Sequence, residues 1–256
     1  MKIIPDPIAF QIGPWPIYWY GILLALAVSI GAILVLREAE RQGINTDHVL
    51  NIILIVVPFA FLGARLYYVV FNWSYYSRYP SEILAIWHGG LAIHGGLIGG
   101  FLVAFFLLKK YRINFWQAAD IAAPSIILGQ ALGRWGNFFN QEAYGYEIDP
   151  EVLPWAMYID GAYRHPTFLY ESLWNLGVFF FLLWLKKRKG LPRGNVFLSY
   201  VVLYSAGRFF IEGLRTDSLM LTANLRVAQV VSVLAIGIGL ILIVYRHKKA
   251  NADTAD

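Results

Sequence analysis

The chain contains no cysteine among its 256 residues. This absence excludes a cysteine nucleophile, a disulfide framework, thiolate-ligated zinc and iron–sulfur clusters. Charge is also scarce, since only 14% of the residues are charged while 58% are hydrophobic and 16% aromatic. The mean hydropathy is +0.55. A soluble domain normally carries about 25% charged residues, so the composition predicts an integral membrane protein.

Seven apolar segments are long enough to cross a hydrocarbon core of about 30 Å, which takes about 20 helical residues. They lie near residues 18–36, 48–70, 88–108, 116–133, 167–185, 195–213 and 227–245. We therefore predict an all-α integral membrane protein with about seven transmembrane helices. Residues 1–249 are expected to form a single polytopic membrane domain. Residues 250–256 are small and polar, and they are expected to form a disordered C-terminal tail.

Several catalytic and cofactor motifs are missing. The predicted spans contain no lysine, which excludes a retinal Schiff base. The chain has no His-Glu-x-x-His zinc motif, no Gly-x-Ser-x-Gly elbow and no Gly-x-x-x-x-Gly-Lys-Ser/Thr phosphate loop. The five histidines show no metal-ligand spacing. We therefore expect neither a metal site nor a cofactor.

The distribution of basic residues predicts the orientation in the bilayer. The short connections after alternate spans hold most of the 21 lysines and arginines: Arg37 and Arg41; Lys109, Lys110 and Arg112; Lys186, Lys187, Arg188, Lys189 and Arg193; Arg246, Lys248 and Lys249. By the positive-inside rule these flanks face the cytoplasm. The N-terminus is then outside and the C-terminus cytoplasmic. The net charge of +5 reflects this topology and attraction to anionic lipid, so no nucleic-acid partner is expected.

Polar and ionisable side chains within or beside the spans are the candidate functional residues, because such groups are costly at membrane depth. They are Tyr20, Arg65, His94, Asp120, Arg134, Asn137, Glu142, Glu171, Tyr204, Arg208 and Glu212. Tyr204, Arg208 and Glu212 are spaced by four residues, which places them on one helix face. One helix would thus present a phenol, a guanidinium and a carboxylate to the same cavity.

Structural roles explain some of these residues better than functional ones. Arg65 is expected to pair with an acid such as Glu171 or Glu212 and so hold helices together. For Arg208, which has Glu212 one turn later on the same helix, such a structural role and a functional role are evenly matched. Asp120 lies near the predicted cytoplasmic end of its span, where capping or pairing with a basic loop is favoured. Gly95 and Gly99 have the small-xxx-small spacing of closely packed membrane helices.

Arg134 is the residue for which function is clearly favoured. It follows a long apolar segment and is expected to lie in a glycine-rich turn, with amide and carboxylate side chains close by in sequence. An arginine at membrane depth needs an anion, a carbonyl or water. The natural anion at that depth is a lipid phosphate.

The stretch from Gly133 to Gly145 resembles the signature of the bacterial prolipoprotein diacylglyceryl transferases, Gly-Arg-x-Gly-Asn-Phe-x-Asn-x-Glu-x-x-Gly, with every fixed position filled. Further motifs are similar to that family and occur in its order: Trp19-Tyr20-Gly21, Ile93-His94-Gly95-Gly96, His165-Pro166-Thr167 with Leu169-Tyr170-Glu171, and Tyr204, Arg208, Glu212, Arg215 and Asp217. The resemblance extends from the first span into the last.

This resemblance implies transfer of the diacylglyceryl group from phosphatidylglycerol to a lipobox cysteine thiol, with release of glycerol phosphate. Arg134 is the first candidate for stabilising the departing phosphate, and Arg208 is the second. A free thiol has a pKa near 8.5, so a base or a cationic field is needed to form the thiolate. His94 is the candidate base. Tyr20 and Tyr204 are weaker candidates, and two arginines alone could lower the thiol pKa.

The remaining assignments concern substrate binding and partners. Asn137, Glu142 and Gly145 are expected to shape the headgroup pocket, with Glu142 orienting Arg134 or accepting from headgroup hydroxyls. Tyr20 and Tyr204 join the candidate binding residues, and Glu212 is expected to position Arg208. The implied partners are phosphatidylglycerol, the lipobox-containing signal peptides of preprolipoproteins and the bilayer. The implied location is the bacterial cytoplasmic membrane.

Two other functions are open on the residues alone. A small transporter or channel could line its cavity with these polar groups, although the chain shows no internal repeat of the kind common in transporters. Polar residues clustered toward the extracytoplasmic half would favour a lipid-using enzyme, whereas a track to the cytoplasmic side would favour transport. Another phospholipid headgroup transferase would normally carry a metal-binding acidic motif, and the intramembrane acids here are scattered.

Overall fold

Long helices account for most of the chain in the computed structural model, which describes residues 5–159, 161–222 and 225–252, apart from the side chain of His88. The long helices are α1 (Trp19–Arg41), α2 (Thr46–Phe71), α4 (Ile93–Lys110), α5 (Phe115–Phe139), α6 (Thr167–Leu185), α7 (Asn195–Glu212) and α8 (Val227–Ala252). Each of them overlaps one predicted span. The predicted helical membrane protein is thus confirmed.

Five helices in the described part of the chain are long and apolar enough to cross a bilayer: α1, α2, α4, α6 and α8. The other two, α5 and α7, are of similar length but carry the polar residues of the predicted site. The count of seven spans and the orientation of the termini therefore remain predictions. α8 continues to Ala252, so residues 250–252 of the predicted tail are helical, and residues 253–256 lie outside the described range.

Short elements occupy the connections. Strands β1 (Ile8–Ile12) and β2 (Trp15–Tyr18) form an antiparallel hairpin directly before α1. Strands β3 (Met157–Ile159) and β4 (Ala162–Arg164) form a second hairpin in the polar connection between α5 and α6. The connection between α2 and α4 contains helix α3 (Trp73–Tyr76) and two short 3₁₀ helices, Pro80–Leu84 and Ile86–His88.

The chain divides into two compact units by its internal contacts. One comprises the residues up to Leu34 and those from Ala119 onward, and the other comprises Val35–Ala118. The predicted single domain of residues 1–249 stays a prediction.

The first unit has an apolar core between α5, α6 and α7. Its buried members are Ala123, Ile127, Val178, Phe179, Leu182 and Val196. At the start of α7, Asp120 of α5 accepts hydrogen bonds from the backbone N–H groups of Gly194 (2.5 Å) and Phe197 (2.8 Å). The first turn of a helix has unpaired N–H groups and a positive partial charge, so this carboxylate caps α7. The capping role predicted for Asp120 is confirmed.

The second unit is held together by close packing of α2 against α4. A Cβ atom added at Gly63 would lie 2.5 Å from the carbonyl oxygen of Gly95, and one added at Gly99 would lie 2.8 Å from that of Phe59. Any side chain at these positions would push the helices apart. The predicted packing role of Gly95 and Gly99 is therefore confirmed.

Arg65 of α2 is buried and binds the loop that precedes α4. Its guanidinium donates to five backbone carbonyls in this loop, those of Glu82 (2.6 Å), Ile83 (2.9 Å), Ala85 (3.2 Å), Gly89 (2.6 Å) and Gly90 (2.9 Å). Gly89 and Gly90 have φ of 82° and 78°, a backbone conformation that glycine adopts without strain. The prediction that Arg65 pairs with an acid such as Glu171 is wrong, because the loop carbonyls use the donors of this guanidinium.

We expect Arg65→Lys to destabilise the protein. A lysine has three N–H donors where arginine has five, so at least two loop carbonyls lose a partner. An unsatisfied buried polar group costs about 1–3 kcal/mol, which corresponds to a decrease in Tm of roughly 5 °C or more. Thermal unfolding in detergent measures the change. Arg78→Lys is the matched control, since Arg78 is exposed, and an equal loss in both variants would contradict the expectation.

Candidate functional site

Glu171 lies at the centre of an ion-pair cluster formed by α5, α6, α7 and the segment after α7. Its Oε2 is 2.5 Å from Nη2 of Arg134, and its Oε1 is 3.0 Å from Nη1 of Arg208. Oε1 also lies 3.4 Å from Nη1 of Arg215. The Glu171 side chain is only 4% exposed, whereas those of Arg134 and Arg208 are 19% and 20% exposed. The carboxylate is therefore at the buried side of the cluster, and the guanidiniums are at its accessible side.

Two further acids pair with these arginines. Glu212 Oε2 lies 2.6 Å from Nη2 of Arg208, one helical turn earlier on α7. Asp217 accepts from Nε of Arg215 at 2.9 Å and from Nη2 at 2.6 Å. The structure thus places Glu212 where it can position Arg208.

Arg215 and Asp217 form an ion pair beyond the end of α7, and the pKa of each side chain is shifted from its usual value. The hydrogen bond from Arg215 holds the pKa of the Asp217 carboxyl below its usual value, although partial burial acts in the opposite direction. Burial lowers the pKa of Arg215, but its hydrogen bond and ion pair with Asp217, together with the nearby carboxylates of Glu171 and Glu212, outweigh this effect and leave the pKa raised. Both groups are therefore charged at neutral pH.

Asn137 links Arg134 to Glu142. Arg134 Nη1 donates to the side-chain oxygen of Asn137 at 3.2 Å, and the Asn137 amide donates to Glu142 Oε1 at 2.9 Å. Asn140 also approaches Glu142, at 3.4 Å. Glu142 therefore acts on Arg134 through an amide and makes no direct ion pair with it.

Arg134 lies in the last two turns of α5, so the prediction of a glycine-rich turn at this position is wrong. The helix continues through Gly133 and Gly136 to Phe139. Gly136 faces the ring of Tyr20, and a Cβ atom there would collide with that ring. Glycine serves close packing here, because the absence of a side chain leaves room for this aromatic ring.

The other predicted binding residues are distributed around this unit. Tyr204 lies one turn before Arg208, and its ring stacks on Tyr200 with centroids 5.9 Å apart. Gly145 donates its N–H to the carbonyl of His165 at 3.0 Å. A Cβ atom on Gly145 would lie 2.6 Å from the Cβ atom of His165. Gly145 therefore fixes the chain between α5 and α6 to the start of α6.

His94 belongs to the second unit, where it is the second residue of α4. Its side chain is exposed, and its ring centroid lies 6.1 Å from that of Tyr67. The loop bound by Arg65 directly precedes it in sequence. The structure joins Arg134, Arg208, Asn137, Glu142 and Glu212 in one connected network within the first unit. His94 lies in the second unit.

Sequence reasoning named Glu171 as a candidate and as a possible structural partner of an arginine, but it gave neither Glu171 nor Arg215 a role in the site. Both belong to motifs that the sequence displays, and Glu171 is a carboxylate within a predicted span. Glu171 is 37 residues from Arg208 and 44 residues from Arg215 along the chain, so spacing along one helix could not reveal these contacts. A stronger signal was available, because two arginines within or beside predicted spans are expected to need compensating acids.

The cluster is chemically suited to binding an oxyanion. A guanidinium has five N–H donors in one plane and can bind two phosphate oxygens in parallel. Within the part of the chain that the structure describes, the Nε–H groups of Arg134 and Arg208 make no hydrogen bond. Both side chains are partly accessible, so these donors are available to a ligand.

Known proteins resemble the chain over nearly its whole length. Residues 7–245 match the family described as prolipoprotein diacylglyceryl transferase. The phosphatidylglycerol–prolipoprotein diacylglyceryl transferase of Bacillus velezensis is 51% identical over 257 residues, covering 97% of the chain and 94% of the relative. The proteins of the same name from Bacillus licheniformis and Bacillus mycoides are 53% and 52% identical, with coverage of 96% and 97% of the chain and 94% of each relative.

Proposed function

The chain belongs to the prolipoprotein diacylglyceryl transferase family, and we propose that it transfers the diacylglyceryl group of phosphatidylglycerol to a lipobox cysteine of a preprolipoprotein. The observation that carries the site assignment is the pair of partly accessible guanidiniums, Arg134 and Arg208, held by the buried carboxylate of Glu171. A lipid phosphate fits this accessible cationic face.

The reaction breaks one bond and forms another. The cysteine sulfur attacks the glyceryl carbon that carries the phosphate, a C–S bond forms, and the C–O bond to the phosphate breaks. The electron pair of that bond goes to the phosphate oxygen, so the leaving glycerol phosphate gains negative charge. Arg134 and Arg208 stabilise this charge with charge-assisted hydrogen bonds. The thiol proton goes to a base.

The other site residues shape the headgroup pocket in this proposal. Asn137 and Glu142 orient Arg134 and offer acceptors to the headgroup hydroxyls. Gly145 lets the chain after α5 pack closely on the start of α6. Tyr20 and Tyr204 line the pocket with phenol groups, and Glu212 positions Arg208.

The proposed orientation in the membrane is based on the positions of the basic connections between the helices. Seven spans, including α5 and α7, put the basic connections on the cytoplasmic side, with the N-terminus outside and the C-terminus inside. Arg134, near the end of α5, and Arg208, near the end of α7, then lie toward the extracytoplasmic face of the bacterial cytoplasmic membrane. Lipobox signal peptides and phosphatidylglycerol both reach the enzyme from the bilayer.

His94 is the proposed base for the cysteine thiol. We expect His94→Gln to reduce transfer strongly at pH 7, because general-base catalysis contributes about 10²–10⁴-fold. The deficit should shrink toward pH 9, where a thiol with a pKa near 8.5 ionises without assistance. Rates measured across this range test the role. His48→Gln is the control, since His48 stacks on Tyr111 in the same unit. A deficit of constant size at every pH would point to packing instead.

Mass spectrometry provides the direct test of the function. Purified protein is incubated with phosphatidylglycerol and a lipobox peptide, and a peptide with serine in place of the cysteine serves as control. The expected result is a diacylglyceryl mass on the cysteine peptide only, with release of glycerol phosphate. Absence of any adduct from folded, lipid-replete protein would refute the proposal.

A further inference from the structure

Glu171 contacts all three arginines of the cluster with only two oxygen atoms. We propose that Glu171 is a counter-charge that limits the affinity of the site for phosphate, so that glycerol phosphate can leave after each turnover. The proposal rests on the transferase function proposed above. It assigns to Glu171 control of product release, in addition to its contacts with Arg134 and Arg208.

The charges in the cluster are balanced. Arg134, Arg208 and Arg215 face Glu171, Glu212 and Asp217, so these six side chains have no net charge when all are ionised. Glu171 is the carboxylate shared by all three guanidiniums. Its neutralisation would leave the cluster with one uncompensated positive charge beside the phosphate.

Substrate and product differ in charge, and this difference makes the effect selective. The phosphate of phosphatidylglycerol is a diester with one negative charge. The product is a monoester, which carries between about 1.5 and 2 negative charges at pH 7 because its second pKa is near 6. An additional positive charge therefore strengthens binding of the product more than binding of the substrate. A site without Glu171 would retain glycerol phosphate.

A purely positional role for Glu171 predicts the opposite result. If the carboxylate only holds Arg134 and Arg208 at the correct spacing, then its loss disorganises both guanidiniums and weakens phosphate binding. The direction of the change in product affinity therefore separates the two roles. Loss of activity alone does not, since both roles predict it.

The experiment measures inhibition of diacylglyceryl transfer, and direct binding, by added glycerol phosphate. Glu171→Gln should bind glycerol phosphate at least about tenfold more tightly than the wild type, since a neighbouring charge commonly shifts an equilibrium by this amount or more. Glu171→Asp keeps the charge and should stay within about threefold of the wild type. Glu147→Gln is the control, because Glu147 is 67% exposed and pairs with Arg164 outside the cluster.

Unchanged or weaker product binding by Glu171→Gln would overturn the proposal. If that variant does not fold, Asp217→Asn replaces it: Asp217 is 49% exposed, and its neutralisation releases Arg215 to compete for Glu171. Tighter product binding is again expected, and its absence again overturns the proposal. A folded wild type that neither lipidates the peptide nor binds glycerol phosphate would instead refute the transferase function itself.

Discussion

Arg134→Ala is expected to lower kcat/KM for diacylglyceryl transfer by at least about a thousandfold, because removing one preorganised oxyanion donor already costs about 10²–10³-fold. Folding should be preserved. Glu171 retains Arg208 and Arg215 as partners after the change, so no buried carboxylate is left without a cation. The mass-spectrometric assay gives the activity, and thermal unfolding in detergent gives the stability.

Two variants sharpen this test. Arg134→Lys keeps the charge but loses the planar pair of donors, so partial activity is expected. Arg188→Ala is the control for arginine removal, because Arg188 is exposed and its guanidinium lies over the Trp184 ring, 4.2 Å from the ring centroid. Normal turnover by folded Arg134→Ala would disprove the role of Arg134 in leaving-group stabilisation.

Arg208→Ala is expected to lose activity to a similar extent and also to destabilise the protein. Arg208 is the partner of Glu212, whose side chain is only 3% exposed. Removing one partner of a buried ion pair leaves an uncompensated charge and costs about 3–5 kcal/mol. Thermal unfolding should therefore separate this variant clearly from Arg134→Ala.

The double variant Arg208→Ala/Glu212→Gln separates the two effects. Neutralising Glu212 removes the uncompensated charge, so most of the lost stability should return. Activity should stay low because the second phosphate-binding guanidinium is still missing. Recovery of activity together with stability would show that Arg208 acts through folding only.

The helices of this protein could be predicted from composition and segment length, because a bilayer demands long apolar helices and leaves few alternatives. The hairpins β1–β2 and β3–β4 could not be, since each is short and lies in a connection where no such demand applies. The end of α5 was also missed. The glycines at 133 and 136 predict a turn, whereas Gly136 accommodates the ring of Tyr20 within a continuous helix.

In the site, a contact within one helix could be predicted from the sequence, and contacts between helices could not. The i, i+4 pairing of Arg208 with Glu212 follows from spacing on one helix and was predicted. The contacts of Glu171 with Arg134 and Arg208 join three helices and depend on tertiary packing, so spacing could not supply them. The same holds for Arg65, whose partners are the carbonyls of an irregular loop.

Asp120 helps to fix the spacing between the two arginines of the cluster that lie on α5 and α7. α5 is joined to α7 at one end by the carboxylate of Asp120 and, fourteen residues later, through Glu171 at Arg134 and Arg208. Two helices braced at both ends resist sliding and scissoring, so the distance between the two guanidiniums is set before any lipid arrives.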